Sequence, residues 1–120
     1  MEELTKTEER IMQLFWKLKK GFVKDIIEQL PDNPKPPYNT ISSVVRVLEK
    51  KGYLAYRAYG KTHEYYPVIS KATYRKMYTK KLLSAYFDDS PVSLLSFIVK
   101  EEKLSAEEIE ALKQLIDRAD

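Results

Sequence analysis

Beginning near Thr5, apolar residues fall at Ile11, Leu14, Phe15 and Leu18, the i, i+3, i+4, i+7 spacing of one helical face. Thr5 and Glu8 have capping-box spacing at the start of this helix, and Gly21 is the expected C-cap. A short second stripe, Val23, Ile26, Ile27 and Leu30, ends at Pro31, and PDNPKPP (31–37) reads as a stiff loop. The third stripe, Ile41, Val44, Val45 and Leu48, predicts a helix from about Asn39 to Lys51 with Gly52 as its stop. The pattern then changes period. In YLAYRAYGKTHEYYPV tyrosines and aliphatics alternate with polar residues, predicting strands at about 53–58 and 63–67 around a Tyr59-Gly60-Lys61-Thr62 turn. Ser70 can cap a fourth helix reaching about Phe87, with Tyr74, Met77, Tyr78, Leu82 and Ala85 on one side. Asp88-Asp89-Ser90-Pro91 breaks it; Ser90 as N-cap and Pro91 at N1 start a fifth. Ser105 and Glu108 repeat the capping-box spacing before a sixth, striped by Ile109, Leu112 and Ile116.

Three helices, a hairpin and three helices make a mainly α chain. The first four elements have the layout of a winged helix-turn-helix, in which the third helix enters the DNA major groove and the hairpin lies on the backbone. The expected division is a DNA-binding winged-helix domain over 1–69 and a helical dimerisation region over 70–120.

The third helix has an unusual second face. Asn39, Ser42, Ser43, Arg46 and Lys50 follow the helical spacing opposite the apolar stripe. A solvated helix would alternate Glu and Lys there. Small hydroxyl side chains instead let a backbone approach base edges, and Asn and Arg match adenine and guanine. Arg57, Tyr59 and Lys61 lie at or near the hairpin turn, where cations suit phosphate. The charge distribution agrees. Residues 1–34 carry a net −1, residues 35–81 a net +9 with only Glu49 and Glu64 as acids, and residues 82–120 a net −5. A basic middle between neutral and acidic flanks predicts a polyanion-binding surface.

Composition narrows the rest. There is no cysteine and one histidine, His63, which excludes disulfides, thiolate sites and histidine metal clusters. His63 reads as a strand residue and the nine tyrosines as core and interface. No nucleophile motif, Gly-rich phosphate loop or metal triad is present, so neither an enzyme nor a cofactor is expected. The polar start MEELTKTEER has no signal-peptide character, and no apolar run approaches the ~20 residues of a membrane span. A cytoplasmic protein without membrane insertion is the expectation.

PVSLLSFIVK, in the fifth helix, is apolar nearly all round and calls for burial on most sides. The economical cover is a second copy, with Tyr78 and Leu82, then Leu94, Leu95, Phe97 and Ile98, then Ile109, Leu112 and Ile116 closing a shared core. A two-fold dimer also suits a palindromic site.

Four stretches in this order, LTKTEERIMQLFWKL, YNTISSVVRVLEKKGYL, YGKTHEYYPVIS and LSAEEIEALKQLI, resemble the penicillinase-repressor family (BlaI/MecI/CopY) over nearly the whole chain. The resemblance implies a homodimeric transcriptional repressor on double-stranded operator DNA. Family members typically silence β-lactam resistance genes until a membrane-bound sensor metalloprotease triggers cleavage in the dimerisation region. By the same resemblance the DNA-facing positions are Asn39, Thr40, Ser42, Ser43 and Arg46, while Val47 stands where many relatives have Arg. The bond corresponding to the cleaved one is Ser96–Phe97, with Ser96 where the cut relatives carry Asn. The cysteine cluster of copper-responsive members is missing. Two other readings fit a winged helix: a ligand-responsive regulator of the MarR type, with a pocket lined by tyrosines of the fourth helix, and a module for protein–protein contact, which the +9 middle disfavours.

Overall fold

The structure, a computed structural model, describes residues 2–119. The elements run α1 (Lys6–Leu18), α2 (Val23–Gln29), α3 (Tyr38–Lys50), β1 (Leu54–Tyr59), β2 (Thr62–Pro67), α4 (Lys71–Tyr86), α5 (Pro91–Glu101) and α6 (Ala106–Arg118). They fall into two compact units, one up to Arg75 and one from Lys76 onward, with the boundary inside α4.

Local chemistry sets most boundaries. The Thr5 hydroxyl accepts from the Glu8 N–H at 3.1 Å and the Glu8 carboxylate accepts from the Thr5 N–H at 2.9 Å, a complete capping box on α1. Ser105 and Glu108 do the same for α6. Ser70 caps α4, and Ser90 with Pro91 at N1 starts α5. After α3, Gly52 takes φ +85°, which it adopts without steric cost, and turns the chain into β1.

The α1 stop differs from expectation. Lys19, not Gly21, is the residue with positive φ (73°). Gly21 instead forms an isolated antiparallel bridge with Tyr65: its N–H donates to the Tyr65 carbonyl at 2.9 Å and it accepts from the Tyr65 N–H at 2.8 Å. Gly21 thus extends the β1–β2 hairpin by one short rung.

Most of the core of the first unit comes from the predicted stripes; Met12, outside them, is fully buried, while Leu14, Leu18, Ile27 and Val44 are only half-buried against it. Ile11, Met12 and Phe15 of α1 meet Val23, Ile26 and Leu30 from α2 and its end, Ile41, Val45 and Leu48 of α3, and Tyr53, Leu54 and Tyr65 of the hairpin region. α1, α2, α3 and the hairpin therefore hold one another, and α3 turns its other face outward. Aromatic contacts continue this packing, with Trp16–Tyr74 centroids 5.5 Å and Tyr53–Tyr74 centroids 5.9 Å apart, and the Trp16 indole N–H donates to the Ile69 carbonyl at 2.9 Å.

A polar lock joins the two ends of this sequence span. The Lys51 ammonium donates to Glu8 at 2.6 Å and to the Glu3 carbonyl at 3.1 Å, tying the end of α3 to the start of α1. Burial pushes the Glu8 carboxyl up, but hydrogen bonds from Lys51 and the Thr5 backbone, with the Lys51 charge, outweigh it and leave it below its usual 4.5. A lowered carboxyl stabilises the fold fully above its usual value, and this contribution is lost as pH falls through the lowered one. Glu8→Gln should therefore flatten the acid limb of a melting-temperature profile below about pH 4.5. An acid limb as steep as the wild type's would assign acid sensitivity to other carboxylates.

In the second unit no described residue is buried. The expected burial of α5 is thus not met within one chain. Leu94 and Ile98 are half-buried and the rings of Phe87 and Phe97 meet edge-on at 5.6 Å, while Val92 stays 75% and Phe97 50% exposed. Among the described residues no single helix is long and apolar enough to cross a membrane; α4 and α5 pass such a test only together, bent by 83°.

Candidate nucleic-acid interface

With Ile41, Val45 and Leu48 buried, helical geometry sends Asn39, Thr40, Ser43, Arg46 and Lys50 into solvent, and all five are exposed. Ser42 is half-buried at the edge of this face. The Ser43 hydroxyl donates to the Asn39 carbonyl at 2.9 Å. Its donor is used inside the helix, so Ser43 meets a partner as an acceptor, the polarity that adenine or cytosine amino groups require.

The hairpin register decides what stands beside α3. Tyr56 pairs with Tyr65 and Ala58 with His63, so these residues share one face of the sheet; Arg57 with Glu64 and Ala55 with Tyr66 share the other. The first face overlooks α3. There Tyr38, Ser42, Arg46 and Glu49 of α3 and Tyr56, Lys61, His63 and Tyr65 of the hairpin line a hollow of about 230 Å³. The Tyr56 and His63 rings stack nearly parallel, 4.0 Å apart at 6°. Burial raises the Tyr65 phenol above its usual value; the Glu49 charge adds to this and Arg46 opposes it. Beside it, Lys24 of α2 lines a second hollow of about 220 Å³ with Tyr38, Thr62 and His63.

Gly60 sits at the hairpin tip with φ +62°, and the Thr62 hydroxyl closes the turn on the Tyr59 carbonyl at 2.8 Å. Lys61 is exposed there, within reach of the α3 hollow. Of the residues singled out in the sequence, Ser42, Arg46 and Lys61 thus come together in one recess, and Asn39, Thr40, Ser43 and Lys50 lie along the same exposed helix. Arg57 does not join them: it lies across the sheet in a separate hollow with Lys19, Lys20, Glu64 and Tyr66. Tyr38, Glu49, Tyr56 and His63 were not singled out, although counting back from a two-residue turn pairs Ala58 with His63 and puts Tyr56 on the same face.

The residues expected to mediate self-association stay accessible. Tyr78, Leu95, Phe97, Ile109 and Ile116 are exposed, from 39% to 63%, and Leu82, Leu94, Ile98 and Leu112 are half-buried. Ser96 is also exposed.

Comparison with known proteins gives a consistent picture. The family model for the penicillinase repressor matches residues 4–118. The methicillin resistance regulatory protein MecI of Staphylococcus aureus (strain N315) is 24% identical over 116 residues, 97% of this chain and 94% of that protein. The penicillinase repressor of Bacillus licheniformis is 24% identical over 115 residues, 96% and 90% of the two chains. The solution structure of the DNA-binding domain of the repressor BlaI superposes with a TM-score of 0.52 at 25% identity, covering 60% of this chain and 88% of that one. The three helices and hairpin of the first unit are a winged helix.

Proposed function

Because this chain belongs to the penicillinase repressor family, we propose that it is a transcriptional repressor that binds operator DNA through α3 and the β1–β2 wing. The observation that carries this reading is the exposed α3 face: small polar side chains and Arg46, opposite a fully packed stripe and beside the wing lysine Lys61. Arg46 is the base-reading residue and Lys61 an anchor on phosphate. Replacing Arg46 by Ala should cost about 1–3 kcal/mol on the cognate site and relax the base preference nearby. Replacing Lys61 by Ala should weaken all sequences about equally. Binding-site selection with each variant tests this; identical specificity profiles would dismiss the assignment.

The finer reading is a cytoplasmic, non-enzymatic homodimer on a palindromic operator, with residues 1–69 reading DNA and 70–120 dimerising. What supports dimerisation is the second unit, whose apolar side chains have no core within one chain. Induction by a membrane-bound sensor metalloprotease, with scission at Ser96–Phe97, is the mode of release that the resemblance to the β-lactam-responsive members implies.

A further inference from the structure

The face of the wing turned away from α3 carries its own concentration of charge. Arg57, Lys19 and Lys20 surround a hollow of about 330 Å³. Lys19 also borders a wider one of about 580 Å³, edged by Lys17 and Lys71. All five cations are exposed, and Glu64 is the one carboxylate lining either hollow. Neither the Arg10–Asp32 nor the Lys51–Glu8 ion pair uses any of them. Lys19 holds a positive φ of 73°, a conformation that Gly would take without penalty.

We propose that this second cationic face holds the phosphate backbone of duplex DNA flanking the half-site that α3 reads. The inference rests on the DNA-binding reading and extends it to a new surface. The face is continuous with the proposed interface, because Arg57 and Lys61 stand on one hairpin only four residues apart. Arg57 stands two residues before the turn that carries Lys61, about 7 Å of strand, a distance over which a duplex presents on the order of four phosphate charges. Its chemistry also favours phosphate over a protein partner. Protein interfaces are depleted in lysine and centred on apolar residues, whereas here lysine dominates. Lysine ammonium groups act as point charges on flexible stems, so the contacts are sequence-independent and position the protein without reading.

The test compares the wild type with the triple variant Lys19→Gly, Lys20→Ala, Arg57→Ala, Gly being the residue that suits the backbone at position 19. Each is titrated by fluorescence anisotropy, over a range of salt, against an operator that stops at the palindrome and one extended by roughly ten base pairs at each end, about one helical turn. On the extended duplex the variant should lose about 0.9 of log–log salt slope per lost contact, up to about 2.7 in all, and roughly tenfold or more in affinity. On the short duplex the two proteins should bind alike, with the same base preference. Equal losses on both duplexes, or no loss on either, would overturn the proposal. So would a loss confined to complexes holding more than one dimer, which would make the face a contact between neighbouring copies. Failure of the wild type to select any operator would instead remove the DNA-binding reading itself, and far-UV circular dichroism with a melting curve checks that the variant is folded.

Discussion

With Asp in place of both Leu95 and Phe97, the protein should sediment as a monomer and bind its operator about 10²–10⁴-fold more weakly. α5 is the most apolar helix of the chain and leaves much of that surface uncovered: Leu95 is 39% and Phe97 50% exposed, and no described residue in the unit from Lys76 onward is buried. A large apolar side chain contributes about 1.5–3 kcal/mol when fully buried, so two of them are a substantial share of a dimer's stability. Two carboxylates in the same place add a desolvation cost that such an interface cannot offset. A monomer then has one recognition helix and gives up the second half-site about 34 Å away. Scission at Ser96–Phe97 should act in the same way, since it separates Leu94 and Leu95 from Ile98 and from all of α6. Sedimentation and operator titration measure both effects, and an unchanged melting transition of the winged helix shows that the loss is one of assembly. A double Asp variant that remains dimeric would remove α5 from the interface. A repressor that stays full length in induced cells while its target genes switch on would count against cleavage.

The sequence made the elements legible wherever their causes are local. The Thr5–Glu8 and Ser105–Glu108 boxes, the Ser90-Pro91 start and the Gly60-Lys61 turn each involve residues within three positions of one another, and each appears in the structure where the spacing puts it. The α3 faces were legible for the same reason, because a single helical period separates Ile41, Val45 and Leu48 from Arg46. Long-range pairing was not. Gly21 looked like a helix stop, but its N–H and carbonyl are taken by Tyr65, forty-four residues away, and the left-handed turn passes to Lys19. Adjacent Lys50 and Lys51 look alike in sequence; one is exposed and the other is locked on Glu8, forty-three positions earlier. The hollow beside α3 depends on strand register, which also sends Arg57 to the opposite face from Tyr56 and His63. In the last three helices the apolar positions were plain, but a stripe does not name what covers it, and within one chain no described residue of these helices is buried.

Replacing Phe15 by Ala should weaken operator binding by destabilising the unit that carries α3, and abolish it at temperatures where that unit then unfolds. Phe15 is fully buried at the centre of α1, and its ring meets Tyr65 edge-on at 6.4 Å. Such a truncation removes contacts to both the helices and the hairpin and leaves a cavity, at a cost of about 3–5 kcal/mol. The unit runs to Arg75, and at about 0.05–0.15 kcal/mol per residue its whole stability is about 4–11 kcal/mol. The loss is therefore between about a quarter and all of it, and the melting temperature should fall by more than about 12 °C. α3 has too few residues to persist alone as a helix in water, so its DNA-facing side chains lose their common face when the core opens. Leu115→Ala is the contrasting change: Leu115 is 65% exposed on α6, and truncating it should leave the melting of the winged helix within about 0.5 kcal/mol of the wild type. Differential scanning calorimetry beside operator titration separates the two cases. A Phe15→Ala protein that melts within a few degrees of the wild type yet fails to bind DNA would mean that α1 orients α3 without stabilising it, and the core that joins Phe15 to Val45 and Leu48 would have to be redrawn.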